Sequence, residues 1–182
     1  MSLRALLGLA PVPDTASAPT PGDTATMRRI AAELEALEPR RARYVAAFAL
    51  ILGRVAHADS TFSNAETIKM AEIIRDLGHL TETHAALAVD IAKTQVRQFG
   101  GTDNYLVTRR FRAMATAAQR VELLDCVFAV SAADESISVL EESQAGQIAK
   151  EIGLSRDETI AARVTYQDHL ESVKQLRGAD NR

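Results

Sequence analysis

At 182 residues, 47% hydrophobic and 25% charged, the chain is long enough for one domain with a real core. A net charge of −3 and a pI near 5.8 argue against a general nucleic-acid binder. Cys126 is the only cysteine, so an intrachain disulfide is excluded and a reducing, cytoplasmic setting is expected.

The composition is alanine-rich, with 4% aromatic residues and no Trp, which favours helices over a sheet. The opening Met1 to Ala10 has one Arg and an apolar stretch cut short by Pro11 and Pro13, so secretion is not expected. No apolar run approaches the roughly 20 residues of a membrane span, so no transmembrane segment is expected. Residues 1–25 are read as a flexible tail and linker, rich in Pro, Thr, Ala and Ser from Pro11 to Asp23. Leu3 to Leu9 is expected to be a free terminus, with a short docking peptide as the alternative.

Residues 26–182 carry nearly unbroken helical periodicity. A first helix is predicted from Thr26 to Leu37, stopped by Pro39. The next runs from Arg40 to Ala58 with Val45, Phe48, Leu52, Val55 and Ala56 on one face. A third runs from Ser63 to Leu77, burying Ile68, Ala71 and Ile74, with Gly78 as its stop. Thr81 or Thr83 caps a helix to Phe99, and Gly100-Gly101-Thr102-Asp103 breaks the chain. A short helix then carries Leu106, Phe111 and Met114, and another carries Val121, Leu124, Val127, Phe128 and Ala132. A helix from Ser138 to Ile152 ends at Gly153, and Ser155 with Glu158 caps a last helix to Leu176. No segment shows the two-residue alternation of a half-buried strand. The fold class is therefore all-α, a compact bundle of about seven to eight helices.

One motif occurs twice. Ala58-Asp59-Ser60-Thr61-Phe62-Ser63-Asn64-Ala65-Glu66 aligns without a gap on Ala133-Asp134-Glu135-Ser136-Ile137-Ser138-Val139-Leu140-Glu141, 75 residues later. Leu77-Gly78 keeps the same register against Ile152-Gly153. The duplication implies a pseudo-twofold internal repeat. Ser63 with Glu66 and Ser138 with Glu141 have the spacing of capping boxes. Phe62 and Ile137, just before those caps, are expected to pack on the preceding helix. Asp59 and Asp134 fit capping less well, because each sits at a helix C-terminal end, where the dipole disfavours negative charge. Carboxylates seven residues apart across a tight turn can converge, and hard cations such as Ca²⁺ take clustered oxygens. Asp59, Glu66, Asp134 and Glu141 are the candidate metal ligands. Ser60, Thr61, Ser63, Glu135, Ser136 and Glu142 are further oxygen donors.

The two turns resemble those of the tellurite-resistance TerB-like family, whose pattern is Ala-Asp-Gly-x-Ile-x-x-x-Glu, an apolar helix and a Leu-Gly-Leu stop. Ala133 to Glu141 with Ile152-Gly153-Leu154 carries the better match, and Ala58 to Glu66 with Leu77-Gly78 the other. The resemblance spans roughly Arg41 to Thr165. It implies an all-α bundle, an acidic metal-binding surface, and a role near the inner membrane in tellurite and other stress resistance. Ser60 and Glu135 stand where the family has Gly, a residue that takes positive φ at little cost. Either the turn is altered or those residues are strained.

Other candidates read blandly. His57 is expected to be a satisfied helix-end histidine, and His79 and His84 are wrongly spaced for one helical face. His169 is expected to be solvated. Cys126 is read as a buried small hydrophobe. Arg40-Arg41-Arg43 and Arg109-Arg110-Arg112 are read as solvated faces, with anionic lipid, the acidic turns or a partner as alternatives. No nucleophile triad, phosphate loop or zinc spacing is present. The expected function is a non-enzymatic module that binds a divalent cation and a protein partner in a stress response. It is placed in the cytoplasm, with peripheral association at the inner membrane. The alternative is a metal-free protein–protein interaction scaffold.

Overall fold

A computed structural model describes the backbone at residues 3–9, 21–56, 64–95 and 101–180. It describes their side chains except at 21–24, 56, 64–66, 95, 101, 134 and 176–180. The described residues form α1 (Leu3–Leu6), α2 (Pro21–Glu35), α3 (Pro39–Ala56), α4 (Asn64–Asp76), α5 (Glu82–Gln95), α6 (Gly101–Met114), α7 (Ala117–Ser131), α8 (Val139–Ile152), α9 (Arg156–Thr165) and α10 (Glu171–Asp180). There is no β-strand among them, and Ile137 and Leu170 form a parallel bridge. The all-α expectation is met. No helix of the described residues is long and apolar enough to cross a membrane.

The architecture follows from α3. Its buried residues are not a stripe. Tyr44 to Leu52 are all buried, with Ala42 and Val55 beside them. A helix apolar on every side must be surrounded. α5, α6, α7 and α8 all pack on α3, with α2 and α1 alongside. The one-sided face expected for this helix is therefore too narrow. Its alanines, Ala46, Ala47 and Ala49, are fully buried and pack against neighbouring helices. Tyr44, Phe48 and Phe111 form the aromatic centre, with ring centroids 5.4–6.3 Å apart.

On α4 the buried line is Met70 and Ile74, and Ile68 is 61% exposed. Ile68 was expected inside; the helix is rotated so that Met70, four residues before Ile74, takes the inner position. Gly78 does not supply the left-handed stop. That conformation falls on His79, at φ +49°. Gly78 is there for space: a Cβ would lie 2.6 Å from the Ile74 carbonyl and 2.8 Å from Phe48 Cζ. Gly153 behaves as expected, capping α8 at φ +79°.

The N-terminal segment differs from a free terminus. Leu3, Leu6, Leu7 and Leu9 are buried, and α1 rests on α3. The Arg4 guanidinium donates to both oxygens of Asp103 at 2.7 and 2.9 Å. Leu3–Leu9 thus packs on its own bundle. Residues 10–20, most of the expected linker, lie outside the described residues. Pro21 opens α2, the helix position where a missing N–H costs least.

The single last helix expected from Ser155 to Leu176 is two helices. The capping box at Ser155 and Glu158 forms, but α9 stops at Thr165. Tyr166 leaves the helix to stack on Phe128 at 5.8 Å. Leu170, fully buried and extended, then carries the chain onto Ile137. Neither break is marked by Pro or Gly, so local sequence gives no warning. A further capping box at Thr116 and Gln119 opens α7.

Candidate functional site

The second acidic turn is described in detail. α7 ends in a 3-10 turn at Ala132–Asp134, and Glu135 follows at φ +64° and ψ 1°. Ile137 is extended, and Ser138 caps α8. Glu135, at the position where the family pattern has Gly, takes the left-handed conformation that Gly adopts at little cost. The residue is strained at this copy. A left-handed non-glycine residue costs on the order of 1–3 kcal/mol. Glu135→Gly is therefore expected to raise stability by about 0.5–1 kcal/mol, after the entropy cost of the added glycine. Thermal unfolding would show it as a melting point higher by roughly 2–4 °C. A lower melting point would mean that the Glu135 side chain holds the turn.

The capping box at this turn is complete. Ser138 Oγ accepts from the Glu141 N–H at 3.2 Å, and Glu141 Oε2 accepts from the Ser138 N–H at 2.9 Å. The Ser138 hydroxyl also donates to Glu141 Oε2 at 2.7 Å. Ile137, buried as expected, pairs its backbone with the C-terminal segment. Its N–H donates to the His169 carbonyl at 2.8 Å, and its carbonyl accepts from the Glu171 N–H at 3.0 Å.

That segment clasps the turn at several further points. Arg163 Nε donates to Glu142 Oε1 at 2.6 Å, and Ser172 Oγ donates to Glu142 Oε2 at 2.7 Å. Burial pushes the Glu142 carboxyl up, but Ser172 and Arg163 outweigh it and hold it below the ordinary Glu value. Ser136 Oγ donates to Glu171, and Lys174 Nζ donates to the Glu135 carbonyl at 2.9 Å. His169 was expected to be solvated, yet its Nδ1 lies 3.4 Å from the same carbonyl. Lys69, on the helix after the first turn, donates to the Ala133 carbonyl at 2.7 Å. The first repeat's second helix therefore touches the second repeat's turn.

Of the four candidate ligands, the side chain of Glu141 alone is described, and it serves the cap. Asp134 closes the 3-10 turn with its backbone, and its side chain lies outside the described residues. Asp59 lies outside them too, as do the Glu66 side chain, Ser60, Thr61, Phe62, Ser63 and His57. Among the described residues, no group of three or more His, Cys, Asp or Glu is placed to hold a metal ion. The oxygen chemistry suits a hard cation, but Glu142 has both oxygens engaged by protein donors, and Glu141 has one.

The helix starts on either side of the two turns keep the sequence offset: α4 begins at Asn64 and α8 at Val139, 75 residues apart. Their surroundings differ, since α4 lies mainly on α5 whereas α8 lies on α6 and α7.

A pair of ionic residues went unread in the sequence. Arg54 Nη1 donates to Glu151 Oε2 at 2.9 Å, with both side chains about nine-tenths buried at 11% and 10% exposure. The signal was there: an Arg inside the apolar run of α3 needs a buried carboxylate. Cys126 is buried as expected, with its thiol pushed up by burial first and by Asp125 and Glu122 second.

Fold and turn define a class: a small all-α module whose helices are joined by a strained acidic turn. The family model for the tellurite resistance protein TerB matches residues 44–164. That is more than half of the chain, which belongs to this family. No curated protein and no solved structure matches.

Proposed function

We propose that this chain is a non-enzymatic TerB module whose acidic turns take a divalent cation, Ca²⁺ or similar. Cation occupancy would be coupled to a protein partner in tellurite and related stress resistance, in the cytoplasm or at the inner-membrane periphery. The observation that carries the reading is Glu135. A left-handed carboxylate residue, next to Asp134 and held by bonds from Lys174 and His169, keeps a costly turn shape where the family has Gly. Strain retained at an acidic turn points to use of that turn. The non-enzymatic part rests on the work the described acids already do in caps and ion pairs.

Calorimetric titration with Ca²⁺, Mg²⁺, Mn²⁺ and Zn²⁺ tests it. Saturable heat with at least one ion is expected, reduced tenfold or more in Asp59→Asn/Asp134→Asn. Absence of heat and of thermal shift with all four ions would end the reading. The metal-free scaffold is favoured by a different observation: Glu142 and half of Glu141 are already committed to protein donors. A partner complex that survives chelator would select it.

A further inference from the structure

The structure assigns a phosphate-binding cleft to the opposite end of α3, independent of the cation reading above. The sequence shows two arginine clusters, Arg40-Arg41-Arg43 and Arg109-Arg110-Arg112, that the acidic turns do not use. α3 and α6 pack together, and Arg40 Nη2 reaches the Met114 carbonyl at 3.4 Å, so the clusters meet. Within each cluster the arginines differ. Arg41 lies over the Tyr44 ring and contacts His84. All four of Arg43, Arg109, Arg110 and Arg112 are exposed, and Arg112 lies with its guanidinium against Gly153 at the end of α8, outside the cleft. Arg43 and Arg110 instead line one cleft of about 210 Å³, whose apolar walls are Leu6, Leu7 and Met114.

Three features make this cleft a site. First, neither Arg43 nor Arg110 closes an ion pair among the described residues, whereas Arg4, Arg29, Arg54, Arg75 and Arg163 all do; the charge of Arg43 acts only at longer range, on the Glu38 carboxyl. The nearby acids are engaged: Asp103 by Arg4, and Glu38 by the N–H groups of Arg40 and Arg41. Two like charges on facing helices repel, and an anion between them removes that cost. Second, guanidinium groups suit phosphate in particular, because their planar N–H pairs match its oxygens two at a time. Third, the cleft is closed on one side by the docked N-terminal segment. Gly8, at φ +66°, lets the Arg110 guanidinium sit against the backbone; a Cβ there would lie 3.3 Å from Nη2. The N–H of Gly8 is taken by the Ala5 carbonyl, so the two side chains are the donors.

Ala5 to Gly8 and Arg43 fall outside the family match at 44–164, so this cleft is built partly from residues that the family match does not cover. It is about 20 Å along α3 from the end that leads into the first acidic turn. Because the docked segment forms a wall, ligand and segment stabilise each other: occupancy strengthens docking by the same factor that docking strengthens affinity. The ligand class is a small molecule or headgroup that presents a phosphate monoester.

The test is titration of the full chain with inorganic phosphate at constant ionic strength, followed by amide resonances. Saturable shifts centred on Gly8 and Arg110 are expected. Arg43→Gln/Arg110→Gln should weaken binding at least tenfold. The control Arg109→Gln/Arg112→Gln removes the same charge from the same surface outside the cleft, and should change affinity less than twofold. Shifts that stay linear to high phosphate, or equal losses in the two double variants, would overturn the site, the latter by reducing it to a diffuse field. A second arm uses vesicles of neutral phosphatidylcholine with and without one-fifth phosphatidic acid. Cosedimentation with the anionic vesicles, competed by free phosphate, identifies a lipid headgroup as the source. Its absence alongside saturable phosphate binding identifies a soluble phosphate ester.

Discussion

Glu151→Ala is expected to lower stability by about 3–5 kcal/mol, the usual cost of leaving one member of a buried ion pair alone. Glu151 Oε2 accepts from Arg54 Nη1 at 2.9 Å and from the Thr108 hydroxyl at 2.8 Å, while Oε1 accepts from Gln147 at 2.9 Å. Three helices, α3, α6 and α8, are tied at one carboxylate. Removing it strands the guanidinium inside the bundle, and Arg54→Ala strands the carboxylate in turn. The double change Arg54→Met/Glu151→Leu should lose less than either single change, since it leaves no unpaired charge. Urea unfolding of the four proteins measures this directly. A loss below about 1 kcal/mol in both single variants would show that water reaches the pair.

The same carboxylate sets an acid dependence. Burial pushes the Glu151 carboxyl up, but Arg54, Thr108 and Gln147 outweigh it, so its value lies below that of an ordinary Glu. A depressed folded value means the stabilisation is fully present above the unfolded value of about 4.3 and is lost as pH falls through the folded one. Stability measured downward from pH 5 should therefore fall less steeply in Glu151→Gln than in the native chain.

Phe48→Ala should cost about 3–5 kcal/mol, as for other buried aromatic truncations. Phe48 is fully buried and touches the ring neighbourhoods of both Tyr44 and Phe111. Its ring tip also explains Gly78. Gly78→Ala alone should cost about 1–3 kcal/mol through overpacking. Phe48→Leu removes the Cζ atom that the new methyl would meet at 2.8 Å. Combining Phe48→Leu with Gly78→Ala should thus cost less than the two separate losses added together. Strict additivity in a thermal-melt cycle would show that the Ile74 carbonyl, 2.6 Å away, is the dominant obstacle.

Helix content and most helix positions were legible because the chain states them locally. Pro39, the Ser155 and Ser138 caps and Gly153 each act within a turn of where they stand. What escaped was set at long range. The break at Tyr166 follows from a stack on Phe128, and the rotation of α4 that exposes Ile68 follows from its packing on α5 and α7. The packing of Leu3–Leu9 on the bundle was not legible, because its anchor, Asp103, lies 99 residues from Arg4. For the acidic turns the sequence showed the repeat and the missing Gly. It could not show that Glu135 would adopt the left-handed shape regardless, nor that Glu142 would be claimed by Arg163 and Ser172. Arg54 was the readable omission, since a charged residue within an apolar run announces a hidden counterpart.

The pairing of Ile137 with Leu170 has a kinetic corollary. Two amides of this bridge, Ile137 N–H and Glu171 N–H, donate across it to the His169 and Ile137 carbonyls, although 34 residues separate them in the chain. Neither can meet solvent deuterium unless both let go, so tail and turn open on a single clock. Whatever loosens the C-terminal helix also releases Ser136 from Glu171 and one oxygen of Glu142 from Ser172, making the far end of the chain the doorkeeper of its acidic loop.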